Sequence, residues 1–196
     1  MDFIIRKIDK EDDAVIARVI RDVLAEHNVP KVGTAFADAS LDCMFETYCK
    51  PDSVYFVVEK DGRIIGGAGI APLDSGPDDT CELQKMYFLG EARGLGIGSQ
   101  MIDTCLRAAA DFGYAQCYLE TMPHMEAAQK LYLKKGFTYL DAPMGDTGHS
   151  SCPVWMLASL PPKGGTVVKM TGDLSGMSVA AYSLFERGWG GALKTN

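Results

Sequence analysis

No Cys-x-x-Cys pair occurs in the 196 residues, and no histidine spacing suits a metal. The six cysteines, Cys43, Cys49, Cys81, Cys105, Cys117 and Cys152, are scattered and mostly set among apolar residues. The three histidines, His27, His124 and His149, stand far apart. A zinc site is therefore not expected, and the cysteines read as buried free thiols of a reducing compartment. Apolar runs of membrane-spanning length are also missing. The N-terminus, Met1-Asp2-Phe3-Ile4-Ile5-Arg6-Lys7, has no signal-peptide core, and a cytoplasmic protein without membrane partners is expected. Basic residues are too few for a nucleic-acid surface: 19 Lys and Arg against 26 Asp and Glu leave a net charge of −7. An anionic ligand must then be held by a local device, since the overall field opposes it.

What is present is ordinary for a globular protein, with 47% hydrophobic and 23% charged residues. Strand and helix patterns alternate. Phe3 to Ile8 reads as a strand. Asp9 reads as a cap, and Val15, Ile16, Val19, Ile20, Val23 and Leu24 recur at helical spacing to about His27. Ser40 to Tyr48 reads as a second helix. Ser53 to Lys60 and Arg63 to Ala71 flank Asp61-Gly62, a strong hairpin turn. Cys81 to Leu89 is a third apolar strand of this region. Helices over Ile97 to Phe112 and Met125 to Lys135, a strand at Gln116 to Thr121, and two final strands at Phe137 to Leu140 and Cys152 to Leu160 complete the pattern. Pro161-Pro162-Lys163-Gly164-Gly165 marks a boundary, so residues 1–160 read as one domain and 161–196 as a tail. The tail carries only a weak helix signal, from Met177 to Arg187.

The run Arg93-Gly94-Leu95-Gly96-Ile97-Gly98 lies between strand and helix patterns. Glycines permit positive-φ turns there and let a ligand approach the backbone. A helix that starts at such a turn aims unpaired N–H groups and partial positive charge at its contents, which suits a phosphate. A plain connecting turn is the alternative. A Rossmann site needs Gly-x-Gly-x-x-Gly and a ribose-binding carboxylate about 20 residues on, and neither is found. A Walker P-loop needs Gly-Lys-Ser/Thr, which does not follow.

From about Cys81 to Leu160 the sequence resembles the GNAT superfamily of acyl-CoA-dependent N-acyltransferases. The resemblance rests on the Arg93 to Gly98 run, which reads as the family's Gln/Arg-x-x-Gly-x-Gly/Ala signature. It rests also on the strand Cys81-Glu82-Leu83-Gln84-Lys85-Met86-Tyr87-Phe88 before it. Ala128-Gln129-Lys130-Leu131-Tyr132-Leu133-Lys134-Lys135-Gly136-Phe137 matches the family's A-x-x-L-Y-x-x-x-G-F helix ending. Met125 departs from the pattern, because family members often carry Asn there. The resemblance implies an α/β (α+β) fold with a mixed, mostly antiparallel central sheet of about seven strands. Helices flank that sheet, and one parallel pair of strands splays apart within it.

The resemblance also implies a chemistry: transfer of an acetyl or other short acyl group from acetyl-CoA to a primary amine, by direct attack, in a homodimeric enzyme. A small molecule or a peptide would supply the amine. Backbone N–H groups of Gly94, Leu95, Gly96, Ile97, Gly98 and Ser99 would hold the pyrophosphate, with Arg93 adding a charged contact. The pantetheine arm would run between Met86, Tyr87 and Phe88 on one strand and Tyr118 to Thr121 on the other, bordered by Ala128 and Tyr132. A backbone N–H near Met86 or Tyr87 would face the thioester oxygen. An alkyl amine with a pKa near about 10.4 must lose a proton before attack. Glu82, four residues before Met86, reads as the base, or else as a solvated carboxylate or an ion-pair partner of Lys85 or a neighbour. Tyr132 reads as the proton donor to the leaving sulfur, or else as a core tyrosine beside Leu131 and Ala128. Glu120 reads as an acceptor contact or a strand end, His124 as a cap or a solvent contact, and His149 as a loop residue that borders the acceptor pocket or as surface loop filler. Two readings compete for the whole chain: a CoA-binding module without catalysis, and a structural or interaction protein with the tail as its contact element.

Overall fold

The computed structural model describes residues 3–32, 34–149 and 151–163. The expectations for residues 164–196, the helix signal from Met177 to Arg187 among them, lie outside the described residues. β1 (Phe3–Lys7) leads through a 3-10 turn into α1 (Asp13–Glu26). Asp9 is the cap, as expected: it stands in extended conformation at the entry, and its N–H donates to the Asp12 carboxylate three residues on at 2.8 Å. Arg6 of β1 clamps the same carboxylate at 2.6 and 3.0 Å. Burial pushes the Asp12 carboxyl up, but the Arg6 guanidinium outweighs it and holds the group below its usual range. Ile16, Val19, Ile20, Val23 and Leu24 of α1 are buried against the sheet. Each such side chain stabilises the packing by about 1.5–3 kcal/mol.

The helix expected over Ser40 to Tyr48 is split. A 3-10 stretch at Ala39–Cys43 precedes α2 (Met44–Tyr48). The Phe45 N–H is drawn to the Asp13 carboxylate at 2.7 Å, so a contact from α1 sets where α2 begins.

β2 (Val54–Lys60) and β3 (Arg63–Pro72) form the expected hairpin. Asp61 and Gly62 both take positive φ, 51° and 72°, as a primed turn requires. β4 (Thr80–Phe88) follows, then α3 (Ile97–Phe112), β5 (Gln116–Thr121) and α4 (Glu126–Lys134). β6 shrinks to Thr138–Tyr139, and β7 (Val154–Ser159) closes the order. The seven strands run β1-β2-β3-β4-β5-β7-β6, antiparallel except at β4–β5. This is the mixed sheet that the sequence predicts.

Both faces of the sheet are covered. Val54, Phe56 and Val58 of β2 join one core with Met101, Cys105 and Ala109 of α3. Tyr55 and Val57 turn to the other, against α1 and α2. Strand alternation thus splits one apolar run between two cores. Cys81, Cys105 and Cys117 are buried as expected, Cys43 and Cys152 are half-buried, and Cys49 is exposed. Cys49 falls just past the end of α2, where the chain has left the core.

Candidate active site

Three rungs join β4 to β5: Thr80 to Gln116, Cys81 to Cys117 and Glu82 to Tyr118. Beyond them the strands part. Leu119 to Thr121 continue to pair with β7 on their far side, so the edge facing β4 is left open. The departure of β4 has a local cause. Gly67 pairs with Tyr87 and Gly69 with Gln84, so Lys85 and Met86 both face Ala68. This bulge places Lys85 at φ +50°, a conformation that L residues seldom take. A bulge bends its strand, and here the bend opens a cleft of about 790 Å³. Nothing in the local sequence signals this bulge.

The glycine turn forms one end of the cleft. Gly94 and Gly96 take φ of 76° and 73°, which explains glycine at both positions. The N–H groups of Gly94, Leu95, Gly96, Ile97, Gly98 and Ser99 have no acceptor among the described residues, and the first helical bond runs from Gln100 to Gly96. Gly94, Gly96, Ile97, Gly98 and Ser99 line the cleft, as do Met86, Tyr87 and Phe88 across from Thr121, Ala128 and Tyr132. Gly98 has a second constraint: a Cβ there would lie 3.1 Å from Leu131 of α4.

Two of the expected positions have other neighbours as well. Leu95 is absent from the cleft wall, and its side chain packs against the core. Arg93 borders the cleft, but its guanidinium donates to the Glu26 carboxylate at 2.6 Å and lies 3.4 Å from His27 Nε2. The end of α1 supplies a carboxylate that no local pattern links to this turn.

Glu82 sits where the β4–β5 ladder ends. It is only 4% exposed and is not part of the cleft wall. Its reading as a solvated carboxylate is thereby overturned. So is an ion pair with Lys85, whose ammonium meets Asp38 at 2.7 Å. Glu82 instead accepts from Gln84 Nε2 at 2.6 Å, and the Tyr48 hydroxyl donates to Gln84 Oε1 at 2.7 Å. Burial raises the Glu82 carboxyl above its usual range, partly countered by Gln84 and by nearby His149. Glu120 borders the cleft and accepts from the Tyr118 hydroxyl at 2.8 Å.

Tyr132 packs its ring 5.8 Å from that of Phe137 and also borders the cleft. Burial raises its phenol to about 12. Its hydroxyl has no protein partner among the described residues, and the residue lines the cleft. Core packing and a place in the cleft wall therefore coexist on one side chain. Met125 lines the cleft and takes a weak contact from the Thr121 hydroxyl at 3.7 Å.

The sequence reading missed a polar cluster beside Glu82. His149 is not loop filler: its Nε2 lies 3.4 Å from the Asp38 carboxylate. The Asp38 charge raises the His149 imidazole above its usual range. Burial pushes Asp38 up, but His149 and Lys85 together hold it below the usual carboxylate range. His124 is exposed yet borders the cleft. One signal for Gln84 was available, because residues two apart on a strand share a face with Glu82. Among the described residues, no helix is long and apolar enough to cross a membrane.

The profile of the family described as Acetyltransferase (GNAT) matches residues 20–137. The chain is 41% identical to YjgM, an uncharacterised N-acetyltransferase of Escherichia coli, over 80% of this chain and 95% of that protein. Its fold is similar to a GNAT acetyltransferase of Staphylococcus aureus, with a TM-score of 0.73 at 18% identity, covering 82% of this chain and all of the other. A GNAT superfamily phosphinothricin acetyltransferase from Sinorhizobium meliloti, solved in complex with AcCoA, aligns with a TM-score of 0.65 at 20% identity. That match covers 87% of this chain and 98% of the other. At these identities the structural likenesses speak to the fold.

Proposed function

The chain belongs to the GNAT family of acetyltransferases, and we propose that it moves an acetyl or short acyl group from acetyl-CoA to a primary amine. One observation carries the reading: the N–H groups of Gly94 to Ser99 lack protein acceptors among the described residues, and Gly94, Gly96, Ile97, Gly98 and Ser99 line the cleft where β4 and β5 part. Such a row of amides at a helix start suits a pyrophosphate. The open edges of β4 and β5 leave backbone groups for an extended arm with amides of its own. The cofactor supplies the acyl group as a thioester.

The chain's own residues would do the rest. Met86 and Tyr87, at and after the bulge, would present a backbone N–H to the developing oxyanion. Glu82, withdrawn from the cleft wall, would take the amine's proton through water. Its raised carboxyl suits a base that works near neutral pH. As the new C–N bond forms and the C–S bond breaks, Tyr132 would protonate the departing sulfur. The proton that Glu82 removes and the one Tyr132 gives keep the balance. The acceptor is a small-molecule or peptide amine, the catalytic domain spans residues 1–160, and the working form is a cytoplasmic homodimer.

Calorimetric titration with acetyl-CoA and a thiol-release assay across an amine panel test this reading. Saturable binding with release for at least one amine is expected. Absence of any binding heat overturns it. Binding without release for every amine favours a CoA-binding module without catalysis.

A further inference from the structure

Glu82 is held by a chain of two side chains whose order of donors and acceptors is forced. An ionised carboxylate only accepts, so Gln84 must present its amide nitrogen, and does so at 2.6 Å. The amide then offers its oxygen on the other side, where the Tyr48 hydroxyl donates at 2.7 Å. If the amide flipped, its oxygen would face the carboxylate, and the two would repel. The carboxylate therefore decides which end of Gln84 it meets, and the Tyr48 hydroxyl holds that orientation by donating to the amide oxygen. Tyr48 and Gln84 are both 36 residues apart in sequence and part-buried at this contact, so solvent competes poorly.

The fold makes room for this arrangement. Gly69 is the cross-strand partner of Gln84. A Cβ at Gly69 would lie 2.8 Å from Tyr48 Cε1 and 2.6 Å from Tyr55 Cδ2. Glycine at this rung lets the Tyr48 ring, 5.1 Å from that of Tyr55, lie over β3 and reach Gln84. The Tyr55 hydroxyl in turn donates to the Lys85 carbonyl at 2.9 Å, which ties the bulge to the same cluster.

We propose that Gln84 and Tyr48 are positioning residues that keep the buried Glu82 carboxylate ionised and aimed. This rests on Glu82 as the base of the proposed reaction. The charged groups facing Glu82 are Glu120 of β5, Lys85 of β4 and His149 of the last long loop. Asp38 joins Lys85 and His149. Lys85 and His149 oppose Glu120 in their effect on Glu82, while burial favours its neutral form. Gln84 is the hydrogen-bond donor that reaches the carboxylate among the described residues.

The test follows the glutamate side-chain carbonyl signals of the full chain by 13C NMR against pH, with Glu82→Gln assigning the signal. The same variants are assayed for kcat/KM against pH, using an amine found in the panel screen. Gln84→Met keeps the size of the side chain and removes the donor. Its Glu82 midpoint should rise by about one pH unit, which is about tenfold lower activity on the acid side. Tyr48→Phe keeps the ring and should move the midpoint in the same direction by less. In the Gln84→Met background, Tyr48→Phe should add nothing further. Gln84→Asn, which keeps a donor, is the second variant should Gln84→Met fail to fold, and its midpoint should stay nearer the native value. A Glu82 midpoint unmoved in both Gln84→Met and Tyr48→Phe overturns the proposal. If the midpoints move but Glu82→Gln retains native turnover and its acid limb, the base reading fails and the positioning role falls with it. Loss of turnover in Glu82→Gln with unmoved midpoints sinks the positioning role and leaves the base standing.

Discussion

The Lys85 ammonium stands 2.7 Å from the Asp38 carboxylate, at a residue of β4 whose own backbone is left-handed. Such a backbone costs about 1–2 kcal/mol for an L residue. The cost persists only where surrounding contacts hold it. Here the Asp38 pair holds the side chain, and the Tyr55 hydroxyl holds the carbonyl. The bulge so held is what turns β4 from β5. An ion pair on a loop thereby bears on whether the cleft is open.

Asp38→Asn should destabilise the protein by about 1–3 kcal/mol, because the Lys85 charge is left almost buried without its partner. The urea midpoint measures this. A midpoint equal to the native one would show that the pair does not support the bulge.

His149 should make stability pH-dependent. Its folded-state pKa is raised by Asp38, so its contribution is complete below the ordinary histidine value of about 6.5 and fades as pH rises through the raised value. The stability gap between the native chain and His149→Asn should therefore shrink as pH climbs from about 6 upward. Unfolding curves at a series of pH values check the sign, and a gap that widens with pH contradicts it.

Gly96→Ala should weaken acetyl-CoA binding at least about tenfold and lower stability by about 1 kcal/mol. A Cβ at Gly96 has open space, so the penalty comes from the φ of 73° and from the distortion of the amide row. Calorimetry and thermal melts read the two effects separately. Native affinity in a folded Gly96→Ala protein is incompatible with backbone capture of the pyrophosphate.

Tyr132→Phe should cut kcat by about 10²-fold or more while changing acetyl-CoA affinity less than about threefold. The phenol, raised to about 12, stays protonated through the working range, so no limb from it should be seen below about pH 10. Equal losses in turnover and affinity would assign Tyr132 to packing alone.

Glu26→Gln should tighten acetyl-CoA binding, by about two- to fivefold and more so at low salt. Arg93 now spends its charge on Glu26, and both side chains are well exposed. Releasing the guanidinium leaves it free for a phosphate next to the Gly94 turn. Unchanged affinity at low ionic strength rules out Arg93 as a phosphate contact.

Local rules made part of the site legible. Gly94, Gly96 and Gly98 between a strand and a helix pattern marked the turn, since positive φ and missing Cβ atoms are properties of single residues. Ala128, Tyr132 and Phe137 lay at readable helical and cap spacing. Glu82 was visible as a carboxylate on the right strand, but its burial was not, because burial depends on what α2 and the loops lay over it. Gln84, Tyr48 and Asp38 went unnamed, and His149 was taken for filler. Gln84 lies two residues from Glu82, within reach of strand periodicity, but the contacts of Tyr48 with Gln84 and of Asp38 with His149 span 36 and 111 residues, where no periodicity reaches.

By itself, the order of residues determined the alternation of strands and helices, the Asp61-Gly62 hairpin, the glycine turn before α3 and membership of a CoA-using family. Each follows from φ preferences, side-chain period or a short spaced motif, all of them local in the chain. Tertiary structure alone decided the bulge at Lys85, the end of the β4–β5 ladder at Glu82, the diversion of Arg93 to Glu26 and the pairing of Asp38 with Lys85 and His149. Those depend on which distant groups packing brings within hydrogen-bond reach, and on charges that cannot stay buried without a partner.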